Sequence, residues 1–463
     1  MKQNLSRRAF LQRASLGAAG MALAACGATG APEQAGTSPA GGASTSTSAA
    51  VGPTTSASTV AAPVAEKQVV TFTMYGHPGL IEQMVPLFNE SHPDVEVQFE
   101  RSEGQGYAEK LSAAIAGGQA WDAFRTPGTW PTRFGPKGVA ADLNPLITVD
   151  TTYPADLYLP GLIDTWNVAG KRYALPAWCL TMWLFYNKKL LDEAGVPYPT
   201  PETTWEDYVA MTKTLTNQEN GQITQYGANG WGGWTLPVSQ DAWSNGGCFY
   251  YNEDLTKICM DDPKTVEVLQ DEADLMNVHN VHPSPLSPPS SPVSLLSGKV
   301  ATELNGDWLP WDNKDQWSED FDATLPPLRD GKRVNAYYPD PLVVNNTSQV
   351  KEGAYKWISW FAADPASWAI QGKVVFPTTK RQYEDPSLRA QWLVPPRPPG
   401  MIALALEHSQ NARFWKVEPH ADEFESTIYY PEIDNLWRNK ASAAEVAKSI
   451  TEKGNELLAT PIE

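Results

Sequence analysis

Tyr186-Asn187-Lys188-Lys189-Leu190-Leu191-Asp192-Glu193-Ala194-Gly195-Val196-Pro197, followed by Pro201 and by Thr204-Trp205-Glu206-Asp207-Tyr208, is the segment from which the rest of the chain can be read. Asn187 to Ala194 reads as a short helix that Gly195 stops. Thr204 reads as the N-cap of a second helix, with Asp207 three residues on to return the hydrogen bond. Immediately before the segment lies a long apolar stretch, Tyr173-Ala174-Leu175-Pro176-Ala177-Trp178 and then Met182-Trp183-Leu184-Phe185-Tyr186. Its length exceeds one ordinary strand of about 5–6 residues, so it is expected to be a strand pair that crosses from one lobe to another.

Toward the N-terminus the pattern alternates between the two periods. Val69 to Tyr75 is a buried strand, Gly76-His77-Pro78-Gly79 a turn, and Leu80 to Ser91 a helix. Val95 to Phe99 alternates as a second strand, Tyr107 to Ala116 is a helix closed by Gly117-Gly118, and Trp121 to Phe124 is a third strand. Strand, helix, strand, helix, strand implies an α/β lobe on a mostly parallel sheet. No internal repeat of fixed period is visible.

The opening segment, read with Gly298-Lys299-Val300-Ala301-Thr302-Glu303-Leu304-Asn305-Gly306-Asp307-Trp308 and with Ala354-Tyr355-Lys356-Trp357-Ile358-Ser359-Trp360-Phe361 before Ala363-Asp364-Pro365, resembles the extracellular solute-binding proteins of family 1, the maltose-binding-like receptors of ATP-driven sugar importers. The likeness extends over most of residues 69–463. It implies a two-lobed periplasmic-binding-protein fold of class II, α/β, with mixed but mostly parallel sheets and a hinge cleft between the lobes. It further implies that lobe 1 takes 67–178 plus 342–395 and lobe 2 takes 180–338 plus 400–463. Pro176-Ala177 and Pro339-Asp340-Pro341 fit the first two crossings. The implied partners are a sugar ligand and the transmembrane subunits of an ABC permease. The receptor is expected to be a monomer without cofactor or metal and to catalyse nothing.

The N-terminus reads as an address. Lys2, Arg7, Arg8 and Arg13 precede an Ala/Gly-rich apolar run from Leu16 to Ala25, with no acid among them. That is the layout of a secretory signal, residues 1–25, and Arg7-Arg8 within Ser6-Arg7-Arg8-Ala9-Phe10-Leu11 resembles a twin-arginine signal. Leu23-Ala24-Ala25-Cys26 resembles a bacterial lipobox, which implies acylation of Cys26 and an extracytoplasmic protein held to the membrane by lipid. Residues 27–65 are almost only Ala, Gly, Ser, Thr, Pro and Val, with Glu33 the single acid. Such a tract cannot bury enough apolar surface to offset its ordering entropy, so 26–66 is expected to be a flexible tether.

Composition narrows the functional classes. The 463 residues carry 53 Asp plus Glu against 35 Lys plus Arg, a net charge of −18. Phosphate-backbone binding by counterion release needs a clustered basic excess, so nucleic acid is not the partner. No apolar run of about 18 residues occurs, which excludes a polytopic membrane protein. Four Cys in this length exclude a disulfide-dense scaffold.

The aromatic residues locate the expected site. A sugar ring has an apolar C–H face that an indole covers and a hydroxyl edge that a carboxylate or amide binds. Among the 18 Trp, those in Gly-rich loops at strand ends fit best: Trp231 and Trp234 in Gly230-Trp231-Gly232-Gly233-Trp234, Trp308 beside Asp307, and Trp130 after the third strand. Trp308 is the leading stacking candidate from its place in the family pattern, and Trp415 in Arg413-Phe414-Trp415 matches a late family segment. Glu103, His77, Trp178 and Asp241 complete the set. Trp178-Cys179-Leu180 departs from the family pattern, where some members carry a ligand-binding acid. His279 with His282 lacks a third ligand for zinc. The pairs Tyr250-Tyr251, Tyr337-Tyr338 and Tyr429-Tyr430 read as strand or interface residues, not iron ligands. Glu423 and Glu425 read as a solvated face.

Two alternatives share these features, a secreted lipoprotein glycoside hydrolase and a receptor for a non-sugar solute. A hydrolase would need two carboxyls facing each other across the sugar. Finally, Cys248 to Cys259 reads as a hairpin. A two-residue turn at Glu253-Asp254 would set the two Cys directly opposite, within reach of a disulfide outside the cytoplasm. Cys179 has no local partner.

Overall fold

The computed structural model describes residues 66–461, apart from 103, 233, 287, 288 and 290–292. The readings placed on Arg7, Arg8, Cys26, the tether and Glu103 therefore lie outside the described residues.

Ten strands form one continuous sheet: β1 (Gln68–Met74), β2 (Val95–Arg101), β3 (Ala123–Arg125), β4 (Leu175–Asn187), β5 (Asn217–Glu219), β6 (Gln222–Asn229), β7 (Val300–Gly306), β8 (Phe321–Thr324), β9 (Asn335–Val344) and β10 (Ala412–Phe414). The order is β2-β1-β3-β9-β4-β7-β6-β5, with β8 pairing on β4 and β10 on β9. β1 runs parallel to β2 and β3, and β6 parallel to β7. The long strands β4 and β9 are antiparallel and sit between these two groups. Two α/β lobes thus share a pair of central strands.

The first lobe follows the expected alternation. Val70, Phe72 and Met74 of β1 are fully buried, each worth about 1.5–3 kcal/mol relative to exposure. The helix α1 (Pro78–Ser91) buries Leu80, Ile81, Met84 and Phe88, while α2 (Tyr107–Ala116) buries Tyr107 and Leu111. These two stripes belong to different core clusters, one with Val70, the other with Phe124 and Tyr173. Both faces of the sheet are covered, as a parallel sheet requires.

The apolar stretch Tyr173–Tyr186 differs from its expected form. It is not a strand pair but one strand of 13 residues, β4, buried along both faces. No turn residue separates Trp178 from Met182, so nothing lets the chain reverse there. The partner strand in the crossing is β9, paired from Tyr337↔Thr181 to Leu342↔Leu175 with a bulge between Asp340 and Pro341. Pro341 is set opposite Pro176.

The opening segment folds as read. In α3 (Lys188–Ala194) the Asn187 side chain accepts from Leu190 N, and Gly195 ends the helix with φ 65°. In α4 (Trp205–Leu215) Thr204 and Asp207 form a reciprocal capping box. The second lobe continues through α5 (Thr235–Ser244) and α6 (Pro263–Asn277). The chain then returns to the first lobe, where α7 (Lys351–Ala363) packs Trp357 edge-on against Phe88 and Phe72 at 5.1 and 5.3 Å. The last helix, α8 (Ala443–Leu458), buries Val446, Ala447 and Ile450 in the second-lobe core.

Cys248 and Cys259 form a disulfide, with Cα atoms 5.8 Å apart. The register differs from the symmetric hairpin expected. Tyr251 faces Ile258, Cys259 N donates to Tyr250 O at 2.9 Å, and the Asn252 side chain holds the turn by accepting from Thr256 N and Lys257 N at 2.9 and 3.1 Å. The turn is longer than two residues because Asn252 caps its interior. Tyr250, at φ 58°, bends the chain so that Cys248 still reaches Cys259. Cys179 is a free, buried thiol, and burial holds its pKa well above the usual range.

Candidate functional site

Two loops of the first lobe and three segments of the second flank the place where β4 and β9 cross. Arg125, the last residue of β3, is buried there. Its Nη1 donates to Tyr75 O at 2.8 Å and its Nη2 pairs with the Asp340 carboxylate of β9. The guanidinium lies 3.7 Å from the Tyr75 ring centroid and 5.1 Å from that of Trp178. Trp178 Nε1 donates to the same Asp340 oxygen at 2.6 Å. A charge pair sealed by two aromatic rings forms the base of the crossing.

The loop after β1 brings His77 over this base, in the left-handed region at φ 46°. Its ring lies edge-on to Trp178 at 6.0 Å, and its Nδ1 is 3.3 Å from Asp312 Oδ1 of the second lobe. Burial, and then the Arg125 charge, push its pKa down to about 4, so at neutral pH it is uncharged.

The loop after β3 closes the other side. Gly128 lies so near Tyr338 that a Cβ would sit 2.0 Å from the phenol oxygen. Only glycine permits that approach. Trp130 follows, half-buried, with Phe134 edge-on at 5.2 Å. Thr129 Oγ1 donates to Asp422 Oδ1 at 3.3 Å, and Arg133 pairs with Asp422 at 3.3 Å and with Glu423 at 3.8 Å. These contacts join the rims of the two lobes.

The second lobe contributes Trp234 at the start of α5, Trp308 after β7, and a single π-helical turn, Glu425–Tyr429. The Trp308 ring lies back over Gly306, where a Cβ would come within 2.0 Å of it. It meets Trp234 edge-on at 5.9 Å. Trp130, Trp234 and Trp308 are each half-buried, offering indole surface not yet covered by protein. π-turns inside helices recur at functional sites, and Glu425 on this turn is half-buried. Burial, and then Asp422, raise its pKa to about 7. The Tyr250 hydroxyl is near enough to temper that rise yet has no partner of hydrogen-bond geometry.

The residues singled out in the sequence divide. Trp234 and Trp308 meet edge-on, and Trp130 and His77 lie half-buried in the segments after β3 and β1. Trp231 does not: it is 1% exposed, donates to Tyr208 OH at 2.9 Å and packs on Trp205 at 5.0 Å, so it is core. Trp415 is buried behind Tyr338 at 5.4 Å and donates to Ser239 at 3.2 Å. Trp178 is buried under the charge pair. Asp307 is buried, its N donating to Thr181 O at 3.1 Å and its Oδ2 without partner. That places it among Cys179, Tyr337 and Arg397, not beside Trp308. Asp241 is a core ion pair with Arg329 at 2.7 Å. His282 is a core acceptor for Trp231 N at 3.2 Å, and burial lowers its pKa to about 4.

Sequence reasoning missed Arg125, Asp340 and Tyr338, and took Glu425 for a solvated face. A charge flanked by prolines in an apolar strand, Pro339-Asp340-Pro341, was the one available signal for the first two.

Against this geometry, the sequence profile of the bacterial extracellular solute-binding proteins matches residues 75–367. The maltotriose-binding protein of Pyrococcus abyssi is 26% identical over 286 residues, 59% of this chain and 57% of that one. The mannitol-binding protein of Pseudomonas aeruginosa is 30% identical over 156 residues, 33% of this chain and 35% of that one. The chain thus matches little more than half the length of the first relative and about a third of the second. Among solved structures, an ABC substrate-binding protein of Listeria monocytogenes in complex with cycloalternan is similar at 25% identity and a TM-score of 0.74, over 86% of this chain and all of that one. The maltose-bound MalE3 of T. maritima shares the fold at 20% identity and a TM-score of 0.67, over 84% and 99%.

Proposed function

Because the chain belongs to the bacterial extracellular solute-binding proteins, we propose that it is a carbohydrate receptor, capturing a mono- or oligosaccharide between its lobes and delivering it to the permease of an ATP-driven importer. The observation that carries this reading is the trio of half-buried indoles, Trp130, Trp234 and Trp308, in the segments that follow β3, β6 and β7. Indole faces cover the apolar face of a sugar while the flanking hydroxyls and carboxylates bind its edge. The names of the relatives support it, each describing a sugar or sugar-alcohol ligand. In this reading the lobes are 67–178 plus 342–395 and 180–338 plus 400–463, hinged at the crossing, and capture is closure of one lobe on the other. The receptor works as a monomer and performs no chemistry.

The deciding experiment is a thermal-shift screen against mono- and oligosaccharides. A ligand that binds only the native state at 100 times its Kd adds about 2.7 kcal/mol, so a true ligand raises the melting temperature clearly. No sugar producing a shift, or new reducing ends appearing in the mixture, would overturn the reading. Trp308→Ala should weaken binding of the sugar so identified by about 1–3 kcal/mol, measured by calorimetry with the fold checked by circular dichroism. An unchanged Kd would remove Trp308 from the site.

The anchor belongs to the same proposal. Arg7-Arg8 and Leu23-Ala24-Ala25-Cys26 support export, cleavage before Cys26 and acylation, with 27–65 as a tether outside the cytoplasmic membrane. A single acyl chain binds only reversibly, so multiple acylation is what holds the protein. Cys26→Ser should shift the protein from the membrane fraction to unprocessed or soluble material; unchanged fractionation would refute the anchor.

A further inference from the structure

Gly306 ends β7 and pairs with Met182 of β4. It is buried, and its N donates to the Asn305 side chain at 2.7 Å. It is not one of the glycines with positive φ, so its backbone conformation would accept a residue with a side chain. Space is what forbids one. A β-carbon at 306 would meet Trp308 Cη2 and Cζ3 at 2.0 Å and Cζ2 at 2.3 Å, its three nearest neighbours. These are successive atoms of the outer indole ring. A point can lie that close to all three only over the face of the ring, since an approach in the ring plane would leave the third atom much farther off. Gly306 therefore lies under the face of the indole.

The local fold holds the ring there. Trp308 is helical, at φ −80° and ψ −16°, and leads into the single turn Leu309–Asp312, where Asp312 N donates to Trp308 O at 3.0 Å. Such a turn directly after a strand returns the side chain over the residue two before it. Trp234 meets the ring at 5.9 Å, and Trp308 packs with Trp311 against the core cluster that contains Trp178. The indole still remains half-buried. Its orientation is thus set before a ligand arrives, which spares binding the cost of ordering it.

We infer that Gly306 is the positioning residue for the Trp308 platform: the absent side chain lets the indole rest on the end of β7, and any β-carbon at 306 would lift the indole and weaken sugar binding without touching the sugar. The inference rests on the carbohydrate-receptor reading. A side chain at 306 acts only through Trp308, because no other residue is among the nearest atoms it would meet.

The test is a double-mutant cycle of Gly306→Ala with Trp308→Ala and with Trp308→Phe, which removes the outer part of the indole that the β-carbon would strike. Each protein is titrated by calorimetry with maltotriose, raffinose, mannitol and any other sugar that the thermal-shift screen returns, and its melting temperature is recorded. Gly306→Ala alone should weaken binding about fivefold or more, within the range for displacing an aromatic anchor. Added to Trp308→Ala or Trp308→Phe, it should change the Kd by less than about twofold, the error of simple additivity. The melting temperature should follow the same pattern, falling with Gly306→Ala in the wild type and not in either Trp308 variant. If Gly306→Ala fails to fold while its combination with Trp308→Ala folds, the collision with the indole is confirmed directly. Wild-type affinity in Gly306→Ala overturns the inference and leaves the receptor reading standing. An equal loss with and without Trp308, or failure of both to fold, also overturns it, because Gly306 would then serve the strand and not the indole. Binding of no carbohydrate by the wild type overturns the receptor reading and this inference with it.

Discussion

Replacing Asp340 by alanine should lower folding stability by about 3–5 kcal/mol, the usual effect of removing one partner from a buried ion pair. The magnitude follows from what is left behind. Arg125 is buried and its Nε already lacks a partner; without Asp340 its charge would keep only the Tyr75 carbonyl at 2.8 Å and the Tyr75 and Trp178 rings. Trp178 Nε1 would lose its acceptor at 2.6 Å, adding about 1–3 kcal/mol for an unsatisfied buried donor if no water enters. Urea unfolding measures the loss through a lower midpoint at unchanged slope. A companion double variant, Arg125→Met with Asp340→Leu, should recover most of the loss, because apolar groups of similar volume can replace a buried pair. A loss under about 1 kcal/mol in Asp340→Ala would mean that the Arg125 charge is solvated from the cleft.

The second large effect concerns Asp307. Burial pushes its pKa from 3.8 up to about 7, with Arg397 opposing. The native state therefore keeps a proton that the unfolded chain releases near pH 4. Where the native state binds more protons, stability falls as pH rises. The contribution is fully present below about pH 4, declines through the window from 4 to 7, and is gone above it. The loss is on the order of 4 kcal/mol, at about 1.4 kcal/mol for each tenfold change in proton activity. Asp307→Asn keeps the acceptor facing Thr181 N but cannot ionise. It should match the wild type at pH 4 and exceed it by several kcal/mol at pH 8. Glu425 titrates in the same direction in both proteins, so the difference between variant and wild type isolates Asp307. A difference independent of pH would show that Asp307 ionises near its ordinary value.

The two lobes and the order of their elements were legible because each signal was local. Thr204 with Asp207, Gly195 after α3, and the alternation of Val70, Phe72 and Met74 need only neighbouring residues to be read. The site was legible only as a composition of loops. Trp130, Trp234 and Trp308 stood out because glycine and proline around them exclude regular interior positions, and each is half-buried. Trp231 and Asp307 were misplaced because their burial comes from distant segments, Tyr208 against Trp231 and Thr181 against Asp307. Arg125 and Asp340 lie 215 residues apart, and no periodicity connects them. Glu425 lies between the buried Phe424 and the exposed Ser426 and Thr427, and the π-turn that it opens has no mark in the sequence. The disulfide was found through a register that proved different, because opposition within one or two residues still left the sulfurs within reach.

Pro341 stands opposite Pro176 at the crossing, with the β9 bulge beside it and Pro339 facing Cys179. Proline has no N–H, so at that rung neither central strand can donate to the other. Cys179 N donates instead to Phe376 O at 3.2 Å. A sheet resists torsion chiefly through its cross-strand bonds, and here the row is interrupted where the proposed hinge would turn. Twisting one half of the molecule against the other would break no rung at that point. The resistance that remains is carried by side chains, the Arg125–Asp340 tie and the Trp178 ring. On that reading the joint is compliant in its backbone and stiff in its packing, and a substitution at Trp178 or Asp340 would loosen it while also lowering folding stability.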